Sequence, residues 1–220
     1  AVPYGQLIDG IRELTYDVDR KPFRGLLWQP TVLRTGSRLA HALPTGLSRW
    51  QPGLHRLHRL ARALGPHCAP PVPGRYPAQS AEQHGEVGLF SGCATSALQG
   101  RALKATIEVL TRAGYDVVVP PAICCGAADS HAGDVERANR KAEAVRVAFP
   151  ASLDAVISIA SGCGVRLDEL QSTAVAKHFD ISEFLVTSRV LERLALTPLA
   201  QPLMLHVPCT VENVYRTSYM

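Results

Sequence analysis

Aromatic residues are scarce in this chain, at 6%, and only two of them are tryptophans. So few rings cannot furnish the stacking platforms on which single-stranded nucleic acid lies. A net charge of +4 is too mild to gather phosphates, so no nucleic-acid partner is expected. Charged residues are few as well, at 19%, whereas 46% of the 220 residues are hydrophobic. That balance suits a buried core in one domain or two small ones. No uninterrupted run of 18 apolar residues occurs, so no transmembrane helix is expected. A secretory leader pattern is also lacking, and the expected location is the cytoplasm. The chain begins without methionine at Ala1-Val-Pro-Tyr4 and stops shortly after Cys209, and is read as a piece of a longer protein.

What the sequence does have is six cysteines: 68, 93, 124, 125, 163 and 209. A disulfide scaffold is expected in short secreted chains, not in one of this length and pattern. Five of the six follow an apolar, strand-like run. Cys93 ends Val87-Gly-Leu-Phe-Ser-Gly-Cys, and the adjacent pair Cys124-Cys125 follows Tyr115-Asp-Val-Val-Val119. Cys163 ends Ala155-Val-Ile-Ser-Ile-Ala-Ser-Gly-Cys, and Cys209 ends Leu203-Met-Leu-His-Val-Pro-Cys. If the strands are parallel, these thiols lie along the C-terminal edge of one sheet, where open α/β folds place functional groups. Gly92, Gly126, Gly162 and Gly164 beside them let backbone approach a bulky inorganic group. The long gaps exclude a zinc ribbon, whose paired ligands are two residues apart. Cys68 lies outside the pattern and reads as an ordinary free thiol.

The rest of the chain frames this pattern. Residues 1–64 carry helical periodicity, with Leu7, Ile8, Ile11 and Leu14 on one face. A basic amphipathic helix is expected around Leu47–Leu64, with Arg49, Arg56, Arg59 and Arg62 off its apolar stripe. It would pack on the remainder of the protein or meet a partner or an anionic membrane surface. Residues 65–85, rich in proline, read as an extended linker. From 86 to 220 strands alternate with helices: strands at 86–91, 115–119, 154–160 and 203–207, and helices at 97–113, from Asp134 to about Phe149, and from about Val165. His178-Phe-Asp180 reads as a short extended piece. The expected fold class is α/β, a mostly parallel sheet with flanking helices, preceded by a helical segment.

The cysteine arrangement resembles the CCG, or cysteine-rich, domain family. Within it the chain is similar to the iron-sulfur subunits of glycolate oxidase, which are related to a cysteine-rich component of heterodisulfide reductase. The residues that carry the resemblance are Ser91-Gly-Cys-Ala94, Val118-Val-Pro-Pro121 with Cys124-Cys-Gly-Ala127, His131-Ala-Gly-Asp134, Ala160-Ser-Gly-Cys-Gly164, Asp180-Ile-Ser-Glu183 and Pro208-Cys209. The resemblance implies Cys93, Cys124, Cys125 and Cys163 as ligands of the first repeat. Cys209 matches the opening of a second repeat, cut short here, and is expected as a further cofactor-binding thiol beside the four or in reserve. His131, Asp134 and Arg166 read either as hydrogen-bonding or charge-balancing neighbours of the site or as a surface histidine, a helix cap and a solvated cation. Arg166 stands where the fullest motif has a further cysteine, which leaves a four-thiolate iron-sulfur cluster, a zinc site or a metal-free redox thiol cluster. Four thiolates on one zinc would have sulfurs about 3.5–4 Å apart, and a cluster would spread them to roughly 6–7 Å. The function implied is electron transfer within a flavin-dependent 2-hydroxy-acid dehydrogenase. FAD would sit on a partner flavoprotein subunit, and a quinone or the inner face of the membrane would be a further contact. The alternatives are a catalytic disulfide- or quinone-reducing subunit and a zinc-binding assembly module.

Overall fold

The computed structural model describes residues 4–15, 30–42, 68–171 and 175–215. Two helices come first, α1 (Tyr4–Thr15) and α2 (Pro30–Ala42). The basic amphipathic helix expected near Leu47–Leu64 lies outside the described residues.

Five strands form one sheet: β1 (Gly74–Tyr76), β2 (Gly85–Phe90), β3 (Tyr115–Val119), β4 (Ala155–Ser158) and β5 (His178–Asp180). Their order is β1-β3-β2-β4-β5. All neighbours pair in parallel except β1, which runs antiparallel to β3. Helices α3 (Cys93–Leu98) and α4 (Gly100–Arg112) connect β2 to β3. The short α5 (Ala127–Ser130) and the long α6 (Val135–Ala148) connect β3 to β4. Next come α7 (Ser161–Glu169) and, after β5, α8 (Ile181–Thr187). The protein is therefore α/β with a mostly parallel sheet, as the alternating periodicities imply.

Each core strand alternates its side chains between two apolar layers, as the pleat requires. Val87, Leu89, Val117, Val119 and Ile157 meet Leu103, Ile107 and Leu110 of α4 together with Phe184 of α8. Phe90 and Val156 meet Ala142 and Val145 of α6, Phe149, and Leu167 of α7. Helices thus cover both faces, which explains why these strands read as nearly continuous apolar runs. The Phe149 ring lies where a side chain on Gly88 would be, 2.5 Å from such a Cβ. Only glycine lets this aromatic lie flat on the middle strand.

The chain leaves β2 toward β3 and then crosses back over β2 to β4. Between β2 and β4 the direction of winding reverses. In an open parallel sheet that reversal opens a crevice beyond the strand ends.

Three expectations need correction. The sheet begins at Gly74, inside the segment 65–85 read as a linker. A three-residue edge strand flanked by Pro73 and Pro77 gives almost no periodic signal, and an edge is where strands tolerate proline. Residues 203–207 form no strand. They are exposed, with Met204 fully so, because an apolar run becomes a strand only beside a partner. The helix expected at 97–113 is two helices, broken at Gln99 and starting earlier, at Cys93.

Asp116 fastens the edge. Its carboxylate accepts from Arg75 at 2.7 Å, from the Ala78 N–H at 2.7 Å and from Gln83 at 3.0 Å. The Arg75 guanidinium, followed by the Ala78 N–H, holds the Asp116 carboxyl below the usual carboxylate range. A lowered folded-state pKa gives stability that is complete above the unfolded value, near pH 4, and is lost as pH falls through the folded value. Asp116→Asn is therefore expected to lower the melting temperature at pH 7 and to flatten the acid limb of the stability curve below about pH 4. Thermal melts across pH check this, and an unchanged acid limb would show that Asp116 does not anchor β1.

Candidate thiolate centre

Three neighbouring strands end in thiols. After β2, Gly92 turns the chain at φ 60 and Cys93 opens α3. After β3 the chain passes Pro120 and Pro121 to Cys124 and Cys125. Gly126, left-handed at φ 82, then starts α5. After β4, Cys163 sits in the first turn of α7. Cys125 is buried, and Cys93, Cys124 and Cys163 are partly so. All four lie at the C-terminal edge of the parallel strands, at the reversal of winding.

The sulfurs form a connected set. Cys93 Sγ donates to Cys124 Sγ at 3.5 Å. Cys125 lies near enough to Cys124 and Cys163 for each to raise its pKa. The Cys163 sulfur lies 3.8 Å from where a Cβ on Gly92 would stand. A Cβ there would only touch the thiol, and it is the positive φ of 60 that calls for glycine at this turn.

Such close thiols cannot share charge evenly. Hydrogen bonds from Cys125 and then Cys93, aided by the Gly126 N–H and the Lys141 charge, hold Cys124 well below the ordinary thiol range. The hydrogen bond from Cys125 likewise lowers Cys163. The donors move the other way. Cys93 rises through its bond to Cys124 and then burial, and Cys125 through its bonds to Cys124 and Cys163 and then burial. Lowered and raised thiols thus alternate through the centre.

Helix α6 supplies the compensating cation. Its small Ala138 brings the helix backbone against Gly126, where an added Cβ would be 3.0 Å from the Ala138 carbonyl oxygen. Lys141, one turn on, reaches Asp129 of α5. Burial alone would lower Lys141. The hydrogen bond to Asp129 and the charge of Cys124 outweigh it, so the ammonium is held above its usual range. Arg137 reaches Asp129 as well, at 3.4 Å. Sequence reading missed Lys141 and Asp129, because a lysine on an amphipathic helix carries no sign of the thiol behind it.

The other candidates separate. Cys209 is exposed and takes part in none of the thiol contacts among the described residues. The strand expected to carry it to the sheet edge is absent. The Cys68 thiol hydrogen-bonds the neighbouring Ala69 carbonyl, at 3.6 Å. His131 is exposed at the end of α5. Asp134 caps α6, accepting from the Arg137 N–H at 3.1 Å. Arg166 pairs with Glu169 at 2.7 Å. Its Nε is buried one turn after Cys163 with no hydrogen-bond partner among the described residues.

The donor set fits an iron-sulfur cluster in chemistry. It is all sulfur, with Cys124 and Cys163 lowered and Gly92 and Gly126 beside its thiols, and a guanidinium N–H without a partner among the described residues is buried one turn after Cys163. Among the described residues no three His, Cys, Asp or Glu side chains are grouped to hold a single metal ion. The 3.5 Å between Cys93 and Cys124 is a thiol–thiol hydrogen bond, shorter than the roughly 6–7 Å between cluster ligands. Taking up a cluster would spread the sulfurs.

Residues 87–168 match the family model of the cysteine-rich domain, CCG. Two curated relatives are glycolate oxidase iron-sulfur subunits. The one from Escherichia coli (strain K12) is 27% identical over 98% of this chain and 56% of its own length. The one from Bacillus subtilis (strain 168), named as probable, is 40% identical over 38% of this chain and 19% of its own. One component of the fumarate reductase (CoM/CoB) of Methanothermobacter marburgensis is 28% identical over 56% of this chain and 25% of its own length. The chain thus spans little more than half of these curated relatives at most. No solved structure matches it significantly.

The alternation of lowered and raised thiols sets an order of reactivity. In the metal-free, reduced chain at pH 6, iodoacetamide is expected to label Cys124 and Cys163 before Cys93 and Cys125, since only the thiolate attacks. Peptide mass spectrometry at short times checks this, and equal labelling of all four would contradict the alternation.

Proposed function

We propose that this chain is part of an electron-transfer iron-sulfur subunit of a flavin-dependent 2-hydroxy-acid dehydrogenase of the glycolate oxidase type. The observation that carries the reading is the contact of four thiols at one sheet edge, on a segment similar to subunits named for that role. Cys93, Cys124, Cys125 and Cys163 would hold the cluster, which when bound supplies reversible one-electron chemistry. Burial of Cys125 and the two apolar layers behind it would keep water from the sulfurs. Lys141 would balance negative charge from one side and the Arg166 Nε–H from the other. Cys209 would serve elsewhere in a longer protein. A flavoprotein partner carrying FAD would oxidise the hydroxy acid and hand electrons to this chain. A quinone or a membrane surface is the proposed onward contact. Among the described residues no helix is long and apolar enough to cross a membrane, so such a contact would be peripheral, from the cytoplasm. Residues 1–64 are proposed as a helical segment ahead of the cysteine-rich domain.

Anaerobic reconstitution with ferrous iron and sulfide tests the reading. Iron and sulfide retained together, with broad visible absorption, are the expected result. Cys125→Ser is expected to abolish retention and Cys68→Ser to leave it intact. Retention of zinc with no sulfide would instead support an assembly module. Loss in the Cys68 variant with retention in the Cys125 variant would overturn the ligand assignment.

A further inference from the structure

Behind the thiol centre lies a chain of three polar side chains that electron transfer does not use. His178, at the start of β5, is 5% exposed, and Ser158, at the end of β4, is 1% exposed. The His178 Nε2 lies 2.9 Å from the Ser158 hydroxyl, and its Nδ1 lies 2.8 Å from a carboxylate oxygen of Asp168 on α7. The carboxylate fixes a proton on Nδ1, so in the neutral ring Nε2 accepts from the serine. Serine, histidine and aspartate also make hydrolytic triads, but Ser158 is shut away from solvent and from any substrate.

The placement of the three is more telling than their types. Ser158 is the last residue of β4, and five residues later comes Cys163. Asp168 lies on the helix that Cys163 helps to begin. The bridge therefore spans the turn that aims Cys163, tying its entry and its exit to β5. The ring also abuts that helix. A Cβ on Gly164, next to Cys163, would be 3.0 Å from His178 Cε1 and 2.5 Å from the Tyr215 hydroxyl. On the other side Gly162 faces open space, with nothing within 4 Å of where its Cβ would stand. The turn is held from the His178 side and is open at Gly162.

We propose that His178 is a positioning residue for the thiol centre, clamping the turn that carries Cys163 through its bridge from Ser158 to Asp168. The value of the clamp to a cluster rests on the proposed function. The clamp itself is a property of the metal-free chain and can be tested there. Without the bridge the first turn of α7 opens more often, and Cys163 is exposed while Cys124, held by β3 and α6, is not.

The test compares iodoacetamide labelling of Cys163 and Cys124 in the reduced, metal-free full chain. In His178→Ala, labelling of Cys163 is expected to rise about fivefold, the scale of losing a hydrogen bond that resists local opening. Labelling of Cys124 is expected to be unchanged. Should His178→Ala fail to fold, Asp168→Ala removes one end of the bridge from a half-exposed position and is expected to act in the same direction. Asp168→Asn keeps an acceptor for Nδ1–H and is expected to restore the wild-type rate. Unchanged Cys163 labelling in the alanine variants, or a parallel rise at Cys124, would overturn the proposal. Iron and sulfide retention by the wild-type chain is scored separately, so failure of the cluster reading is not mistaken for failure of the clamp.

Discussion

Everything at the thiol centre depends on the lateral spacing of parallel strands. Hydrogen bonding sets adjacent strands about 4.8 Å apart, and β3, β2 and β4 are consecutive in the sheet. Thiols placed just beyond their ends are therefore gathered within about 10 Å, however distant they are along the chain. Backbone pairing does the gathering, and the short turns after each strand only aim the sulfurs. The reversal of winding between β2 and β4 leaves this edge open.

The same gathering creates an electrostatic problem. Four ionisable sulfurs in a partly buried space cannot all carry charge. The chain answers with alternation, in which Cys124 and Cys163 are lowered while Cys93 and Cys125 are raised, and with Lys141 placed beside Cys124. Lys141 is held in turn by Asp129, on the short helix that follows the double cysteine. Charge, counter-charge and the partner of the counter-charge thus lie on consecutive elements.

Much of this was legible from sequence where a residue's role depends on its immediate neighbours. Apolar runs ending in Gly-Cys or Cys-Cys-Gly located three strand ends correctly, and the four converging thiols follow from them. Roles that depend on distant partners were not legible. Gly74–Tyr76 becomes a strand only because β3 offers an edge, and 203–207 fails to become one for want of such an edge. Cys209 therefore carried the right local pattern without the expected place. His178 reads as a short strand residue until the fold sets it between Ser158 and Asp168. Lys141 reads as one more solvated cation until α6 is laid against Gly126.

The small antiparallel strand β1 has a consequence for solubility. Without it, β3 would present a bare row of N–H and C=O groups beside Val117, Val118 and Val119, a template on which a second chain could add a strand. Three residues are enough to occupy that row, and Arg75 places a charge on the outermost ribbon. Pro73 and Pro77, at either end, remove donors a further strand would need. The segment that carries least information about the thiol centre is thus the one that blocks strand addition on β3.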